Sequence, residues 1–426
     1  MLKLYIKTYG CQMNIYDSNK IINLLYHYGY RLTLLQENAD VIILNTCNIR
    51  YKSSEKVYST IGFYKEEAII IVAGCVAQSE GIELMKRSHQ IDIVIGTQSY
   101  YKLPVLLENL KKHKMFQIKL DFLVEEKFSN LSFSNYYKYS SFLTIQEGCN
   151  KFCHFCCVPY TRGKEYSRPQ KHIIIEAKEK LKQGAKEIVL LGQNVSAYDN
   201  YGRLSNLIKK ITKINGLKRL RYITSHPKDM DDIELLKLHQ NESKLMPYLH
   251  LPIQSGSNKV LKMMNRQYNI QEYLSIINKL KFVRPDMVFS SDFIVGYPGE
   301  SDCDFQSTLY LINQVDFSQC YSFKYSPRSG TTSSLLSNQI NEKTKNKRLQ
   351  KVQLLLYSKQ LAFNKSLIGT VIQVLFNKKG KYSNQIIGIS IYLQTVFVND
   401  NNNYIGNIVP VYVKSANFFS LQGVIL

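Results

Sequence analysis

The sequence predicts an α/β chain in three parts: an amino-terminal doubly wound parallel α/β domain, a central open barrel of six βα units, and a small carboxyl-terminal all-β barrel. Three observations lead there. Segments rich in β-formers alternate with helix-compatible stretches through most of the chain, and several of them run into short loops carrying cysteine or clusters of Gly, Ser and Pro. Beyond Gly369 the pattern changes to short alternating strands.

In residues 1–118, strands are expected at Leu2 to Lys7, Val41 to Leu44 and Ile69 to Val72, each followed by a helical stretch. Each runs to a cysteine in a tight turn: TYGC at Cys11, LNTC at Cys47 and VAGC at Cys75. Because the carboxyl ends of strands form the ligand-binding edge of an open α/β sheet, three thiols far apart in sequence are expected to converge there. Residues 119–140, polar and containing Ser, Tyr and Asn, read as a linker.

Residues 141–366 resume the alternation, with strands expected at Phe142 to Ile145, Glu187 to Leu191, Leu220 to Ile223, Tyr248 to Leu251, Val288 to Val295 and Tyr321 to Lys324. Barrel active sites lie at the carboxyl ends of the strands, where this chain places EGCNKFCHFC, LGQN, TSHP, LPIQSGS, GYPGE and SPRSGT. His226 and His250 fall at two of those ends and read as hydrogen-bonding or packing residues rather than catalysts. A helix over Glu342 to Lys365 sets Leu349, Val352, Leu355 and Leu356 against a basic face containing Lys343, Lys347 and Lys351. Residues 367–426, punctuated by KKGK and DNNN, suggest a small barrel of the kind that holds oligonucleotides.

A formal net charge of +22, from 55 Lys and Arg against 33 Asp and Glu, favours anionic partners, nucleic acid above all. No apolar run approaches the roughly 18 residues of a membrane-spanning helix, and the opening MLKLYIKTYG reads as a strand rather than a signal peptide. A cytoplasmic location without membrane contact is therefore expected. In that reducing compartment the nine cysteines read as metal ligands or buried thiols rather than disulfides.

Cys149, Cys153 and Cys156 form C-x3-C-x2-C in one loop, close enough to hold three corners of a 4Fe-4S cube and leave one iron open. An open iron can chelate the amino and carboxylate groups of S-adenosylmethionine, and one electron then releases a radical able to attack an unactivated C–H bond. A structural zinc site with His154 as the fourth ligand is the competing reading of this loop. Cys157, next to Cys156, reads as a buried or spare thiol. Cys11, Cys47 and Cys75 read as a second three-cysteine cluster, against the alternative of three core thiols. Cys303 and Cys320 lack such partners and read as structural.

These residues resemble the radical S-adenosylmethionine methylthiotransferase family across almost the whole chain. The resemblance rests on KTYGCQMN, NTCNIR, GCVAQ, EGCNKFCHFCCVPYTRG, LLGQNVSAY, LHLPIQSGS, IVGYPGE and FKYSPRSGT. It implies an amino-terminal methylthiotransferase domain, a radical S-adenosylmethionine core and a TRAM domain that grips tRNA. It also implies two 4Fe-4S clusters, with a methylthio group delivered to carbon 2 of an isopentenylated adenosine in the anticodon stem-loop. The base must then be splayed out, since a ring carbon inside a stack cannot be reached.

Carried onto this sequence, the resemblance places Phe155 near the adenine of S-adenosylmethionine and lets Gly296 bring a strand end close to it. A flavodoxin- or ferredoxin-like electron donor is the family expectation, and a monomer is the working assumption. Threonylcarbamoyladenosine in tRNA or a ribosomal protein aspartate are alternative substrates within the same chemistry. A non-catalytic metal-cluster protein that binds RNA is the alternative of a different class.

Overall fold

The computed structural model describes residues 1–48, 57–58, 61–62, 67–113, 115–122, 128, 139–200, 202–400 and 402–426. Its first sheet contains β1 (Leu2–Thr8), β2 (Tyr30–Leu32), β3 (Val41–Thr46), β4 (Ile69–Gly74), β5 (Ile93–Ile95) and β6 (Gln117–Lys119), all parallel, in the order β2-β1-β3-β4-β5-β6. The run VIIL in β3 explains why helices lie on both faces. Val41 and Ile43 join a core with Ile21, Leu25, Leu103 and Leu107, while Ile42 and Leu44 join another with Val76, Ala77 and Leu84. A strand apolar at consecutive positions must be covered twice, which is the doubly wound arrangement expected. β2, β5 and β6 were not expected from sequence; at three residues each they are too short to show a period.

Most of the expected linker lies outside the described residues, as do Ile49 and Arg50 of NTCNIR. Phe128 within that stretch is buried, stacked on Tyr166 at 6.1 Å and lying under the Arg168 guanidinium at 4.7 Å.

The central part places β7 (Ser140–Thr144), then the short antiparallel pair β8 (Gln146–Glu147) and β9 (Tyr166–Ser167), which closes the base of the cysteine loop. Next come β10 (Glu187–Leu191), β11 (Arg219–Tyr222), β12 (Tyr248–His250), β13 (Val288–Val295) and β14 (Phe317–Lys324). Two parallel sheets, β11-β10-β7 and β12-β13-β14, meet through the pairing of Leu220 with Leu245, giving six parallel strands in chain order around one core. Among the described residues no pairing joins β14 to β7, so the barrel is open. β14 starts before the expected Tyr321 because Phe317 packs edge-on against Phe293 at 5.7 Å inside the barrel.

The helix Glu342–Ser366 buries Val352 and Leu356 against the barrel core, with Leu349 and Leu355 partly covered. Five strands follow: β15 (Val371–Lys379), β16 (Gln385–Ser390), β17 (Thr395–Asn399), β18 (Ile408–Ala416) and β19 (Ser420–Ile425). They form a closed barrel in the order β15-β16-β17-β19-β18, filled by Val374, Phe376, Val396, Val398, Val411 and Val413. Closure leaves no free sheet edge.

Buried arginines tie the three parts together. Arg162 bonds Asp17 at 2.9 Å and Glu147 at 2.8 Å, joining the amino-terminal domain to the cysteine loop. Arg168 bonds Glu176 at 2.9 Å, and Tyr16 donates to the same carboxylate. On the far side, Arg221 holds Glu187 at 2.8 Å and donates to the carbonyls of Ser390 and Ile391, while Arg219 donates to that of Ile389.

A candidate cluster site between two domains

The carboxyl edge of the first sheet faces the carboxyl mouth of the barrel across a cavity of about 280 Å³. Cys11, Cys47 and Cys75 line one side, and Cys149, Cys153 and Cys156 come from the barrel's first loop. Cys11 precedes the helix Gln12–His27, Cys47 follows β3, and Cys75 opens the helix after β4, so three strand ends deliver three thiols to one wall.

Local backbone makes this possible. Gly10 has φ +98°, and a Cβ there would lie 2.1 Å from Cys47 Cβ and 2.5 Å from its Sγ. Only glycine accepts both the left-handed backbone and that approach. Asn14 donates to the carbonyls of Tyr9 and Thr46, stitching the Cys11 and Cys47 turns together.

Electrostatics distinguish the thiols. The hydrogen bond with Cys47 lowers the Cys11 thiol to about 6; burial opposes this, and the Arg162 charge adds to the lowering. Burial raises Cys75, takes Cys149 to about 11, and puts Cys156 well above the ordinary thiol value. A thiol ligates metal as thiolate, so filling the site expels protons from these groups. The Arg266 guanidinium donates to Cys153 Sγ at 3.3 Å and the Val158 backbone N–H to Cys156 Sγ at 3.5 Å, bonds that favour sulfur carrying negative charge.

Among the described residues, no three His, Cys, Asp or Glu side chains meet closely enough to hold a single metal ion. His154 is engaged elsewhere, with Nδ1 2.9 Å from the Met263 carbonyl, so the zinc reading finds no assembled ligand set. All six thiols line this one cavity, and thiolate is the ligand that a 4Fe-4S cube takes. Cys157, expected to be a spare thiol, also lines this cavity, with burial and then the Cys75 charge raising it to about 11. Cys303 is exposed and Cys320 lies on β14, both outside the cavity lining.

Phe155 lines the cavity and packs against the cluster of Val260, Met264, Tyr297 and Tyr325. Gly296 is not part of the lining: at φ +71° its added Cβ would meet Lys345 Cγ at 2.5 Å, so the glycine makes room for the helix Glu342–Ser366. His250 is held by Ser290 at 2.9 Å, outside the lining, whereas His226 is inside it.

Arg162, Arg266, Lys151 and Asn194 also line the cavity and were not singled out from sequence. Arg162 stood within VPYTRG and Asn194 within LGQN, but Arg266 carried no local signal.

Comparison with known proteins gives a consistent picture. Residues 3–96 match the uncharacterized protein family UPF0004, residues 143–312 the radical SAM superfamily and residues 365–426 the TRAM domain. A protein of Rickettsia akari (strain Hartford) named tRNA-2-methylthio-N(6)-dimethylallyladenosine synthase is 52% identical over 442 residues, covering 99% of each chain. Its namesake in Rickettsia prowazekii (strain Madrid E) is 51% identical over 443 residues, covering 100% of this chain and 99% of the other.

Among solved structures, the radical S-adenosylmethionine methyltransferase TsrM from Kitasatospora setae aligns with a TM-score of 0.58 at 12% identity, over 78% of this chain and 74% of that one. The cobalamin-dependent S-adenosylmethionine radical enzyme OxsB aligns at 0.51 and 13%, over 84% and 57%. Such distant likenesses speak to the fold alone. Full-length identity above one half to the Rickettsia proteins decides the family: this chain belongs to the tRNA-2-methylthio-N(6)-dimethylallyladenosine synthases, among the radical S-adenosylmethionine methylthiotransferases.

Proposed function

We propose that this chain is the methylthiotransferase that converts N(6)-dimethylallyladenosine, beside the anticodon of tRNA, to its 2-methylthio derivative. The observation that carries this reading is the gathering of six thiols from two domains around one cavity. Cys149, Cys153 and Cys156 would hold one 4Fe-4S cluster with S-adenosylmethionine, and Cys11, Cys47 and Cys75 the second. When bound, these groups supply the one-electron and sulfur chemistry that polar side chains lack.

The chain's own residues do the rest. Arg266 and the Val158 N–H stabilise charge on Cys153 and Cys156, and Arg162 does so beside Cys11 and Cys75. Leu191, Ile223, Pro252 and Phe155 give the cavity apolar walls that exclude water, and Phe155 offers a ring against which adenine can pack. Gly296 acts behind that wall by seating Lys345. The closed carboxyl-terminal barrel and the net charge of +22 suit a tRNA partner.

The division of labour we propose is 1–118 for the second cluster, 119–140 as linker, 141–366 for radical chemistry and 367–426 for RNA. A flavodoxin- or ferredoxin-like protein supplies the electron, and the enzyme works in the cytoplasm as a monomer. No described helix is long and apolar enough to cross a membrane.

The test is anaerobic reconstitution followed by iron and sulfide counts and nucleoside mass analysis of tRNA from a deletion strain, with and without the gene restored. Two cubes per chain are expected, each lost separately when its own cysteine triad becomes alanine, with the 2-methylthio nucleoside lost in either case. One cube that vanishes with Cys149, Cys153 and Cys156, or a deletion strain that keeps its 2-methylthio nucleoside, overturns the reading.

A further inference from the structure

The wall between the two cysteine triads carries a polar group with nothing to bond. β11 ends at Tyr222, and Ile223, Thr224, Ser225 and His226 then run along the cavity. Thr224 has φ +71°, a backbone region that is a true outlier for a β-branched residue, and such strain persists where the surrounding structure holds a side chain for use. Gln254, across the same cavity, is in a similar conformation at φ +75°.

His226 is only 6% exposed and is locked on several sides. Its backbone N–H donates to Asn194 Oδ1 at 3.0 Å and Ser196 Oγ at 3.1 Å, and its ring meets Tyr268 edge-on at 5.4 Å. Asn194 is fixed in turn by Asp229, which also binds Lys151 of the cysteine loop. The Lys228 backbone N–H donates to Nδ1 at 3.3 Å. A backbone N–H can only donate, so Nδ1 is the bare nitrogen and Nε2 of the neutral ring bears the hydrogen. That Nε2 has no partner, and neither does the buried Oγ of the preceding residue, Ser225.

A buried donor without an acceptor is costly, and a polar cavity wall is where a ligand removes that cost. The two nearby cations are engaged, Lys151 with Asp229 and Arg266 with Cys153 and the Pro252 carbonyl. The lining mixes polar Gln193, Gln254 and Asp292 with apolar Leu191, Ile223, Pro252 and Phe155, and within it His226 is an uncharged donor left without a partner by the fold, a combination suited to a flat heteroaromatic ring with a bare ring nitrogen. We propose that His226 Nε2–H recognises a ring nitrogen of an adenine seated in this cavity. Burial, and then the charges of Arg266 and Lys151, hold the imidazole far below its usual range, so it stays an uncharged donor at working pH.

Two ligands of the proposed reaction carry adenine, S-adenosylmethionine and the target nucleoside, so this inference rests on the function proposed above. The experiment measures binding of S-adenosylmethionine, and separately of an anticodon stem-loop bearing N(6)-dimethylallyladenosine, to cluster-loaded wild type, His226→Phe and His226→Gln. Each ligand is also tested with 1-deaza, 3-deaza or 7-deaza adenine. Losing one such bond should weaken one ligand on the order of tenfold in His226→Phe, and Gln, whose amide reaches the Nε2 position, should restore most of it.

The deaza change that removes the paired nitrogen should weaken binding to wild type by the same factor and have no further effect in His226→Phe. Movement of the S-adenosylmethionine arm assigns the donor to the cofactor's adenine, and movement of the RNA arm to the substrate's. Unchanged affinity for both ligands in a His226→Phe protein with normal iron content, or deaza effects that simply add to the mutation, overturns the proposal. If the Phe variant fails to load iron, wild type still decides against the proposal: binding of both ligands unchanged by every deaza replacement overturns it. If wild type binds S-adenosylmethionine but neither binds nor modifies the RNA, the substrate reading fails while the cofactor arm still decides the role of His226.

Discussion

Arg162 and Asp17 form an ion pair at 2.9 Å with both side chains essentially inaccessible to water, one from the cysteine loop of the barrel and the other from the first helix of the amino-terminal domain. Arg162 also bonds Asn14 and Glu147, and Gln98 donates to its carbonyl. The pair is therefore a fixed joint between the two walls of the thiol cavity.

Arg162→Met should cost about 3–5 kcal/mol, because it leaves the Asp17 and Glu147 carboxylates buried without their shared cation. Urea unfolding of the cluster-free chain measures this. Asp17→Leu combined with Arg162→Met should cost clearly less than the sum of the two single changes, and simple additivity would show that the two residues do not act as a pair.

Gly10→Ala should destabilise the first domain by at least about 1–2 kcal/mol through its positive φ alone, with the clash against Cys47 adding to that. The displaced thiol belongs to the proposed second cluster, so iron content should fall toward one cube per chain while the loop cluster stays. A full iron count in this variant would mean Cys47 is not a ligand.

Arg221→Met removes the cation beside buried Glu187 together with the bonds to the Ser390 and Ile391 carbonyls. A loss of about 3–5 kcal/mol is expected. Loosening of the carboxyl-terminal barrel should show as faster limited proteolysis and a raised KM for tRNA with kcat little changed. An unchanged KM would separate the position of that barrel from RNA binding.

Acid should unfold the chain partly through His239, which is 1% exposed and bonded to the Tyr222 hydroxyl at 2.6 Å. Burial, with a smaller effect of Arg284, lowers its pKa to about 3, against roughly 6.5 in an unfolded chain. Between those values the unfolded chain binds the extra proton. His239 therefore contributes stability that is complete above about pH 6.5 and is lost as pH falls toward 3, at up to about 1.4 kcal/mol per pH unit. Urea midpoints at about pH 7.5 and about pH 5 should differ more in wild type than in His239→Gln, and equal differences would remove His239 from the acid response.

Much of this protein was legible in its sequence because its repeating units are local. The apolar run of β3 must be covered on both sides, the Val, Phe and Ile residues of β13 announce a barrel strand, and C-x3-C-x2-C confines three thiols to one loop whatever surrounds it. Turns at Cys11, Cys47 and Cys75 marked three strand ends, and parallel strands present their ends on one edge.

What tertiary structure alone decided concerns groups whose meaning depends on a distant neighbour. β2, β5 and β6 are too short to carry a period and exist because an adjacent strand offers a ladder. Gly296, placed near adenine by the resemblance, also lies against Lys345, a residue on a helix that sequence spacing could not place there. Arg162, Arg219 and Arg221 are buried joints, since carboxylates and carbonyls from elsewhere in the chain replace their water. His226 read as a packing or hydrogen-bonding residue; only the folded chain supplies the Lys228 N–H that fixes its tautomer and the burial that leaves Nε2 without a partner. Periodicity and spacing report on a residue's neighbours along the chain, while burial, ion pairing and tautomer are set by neighbours in space.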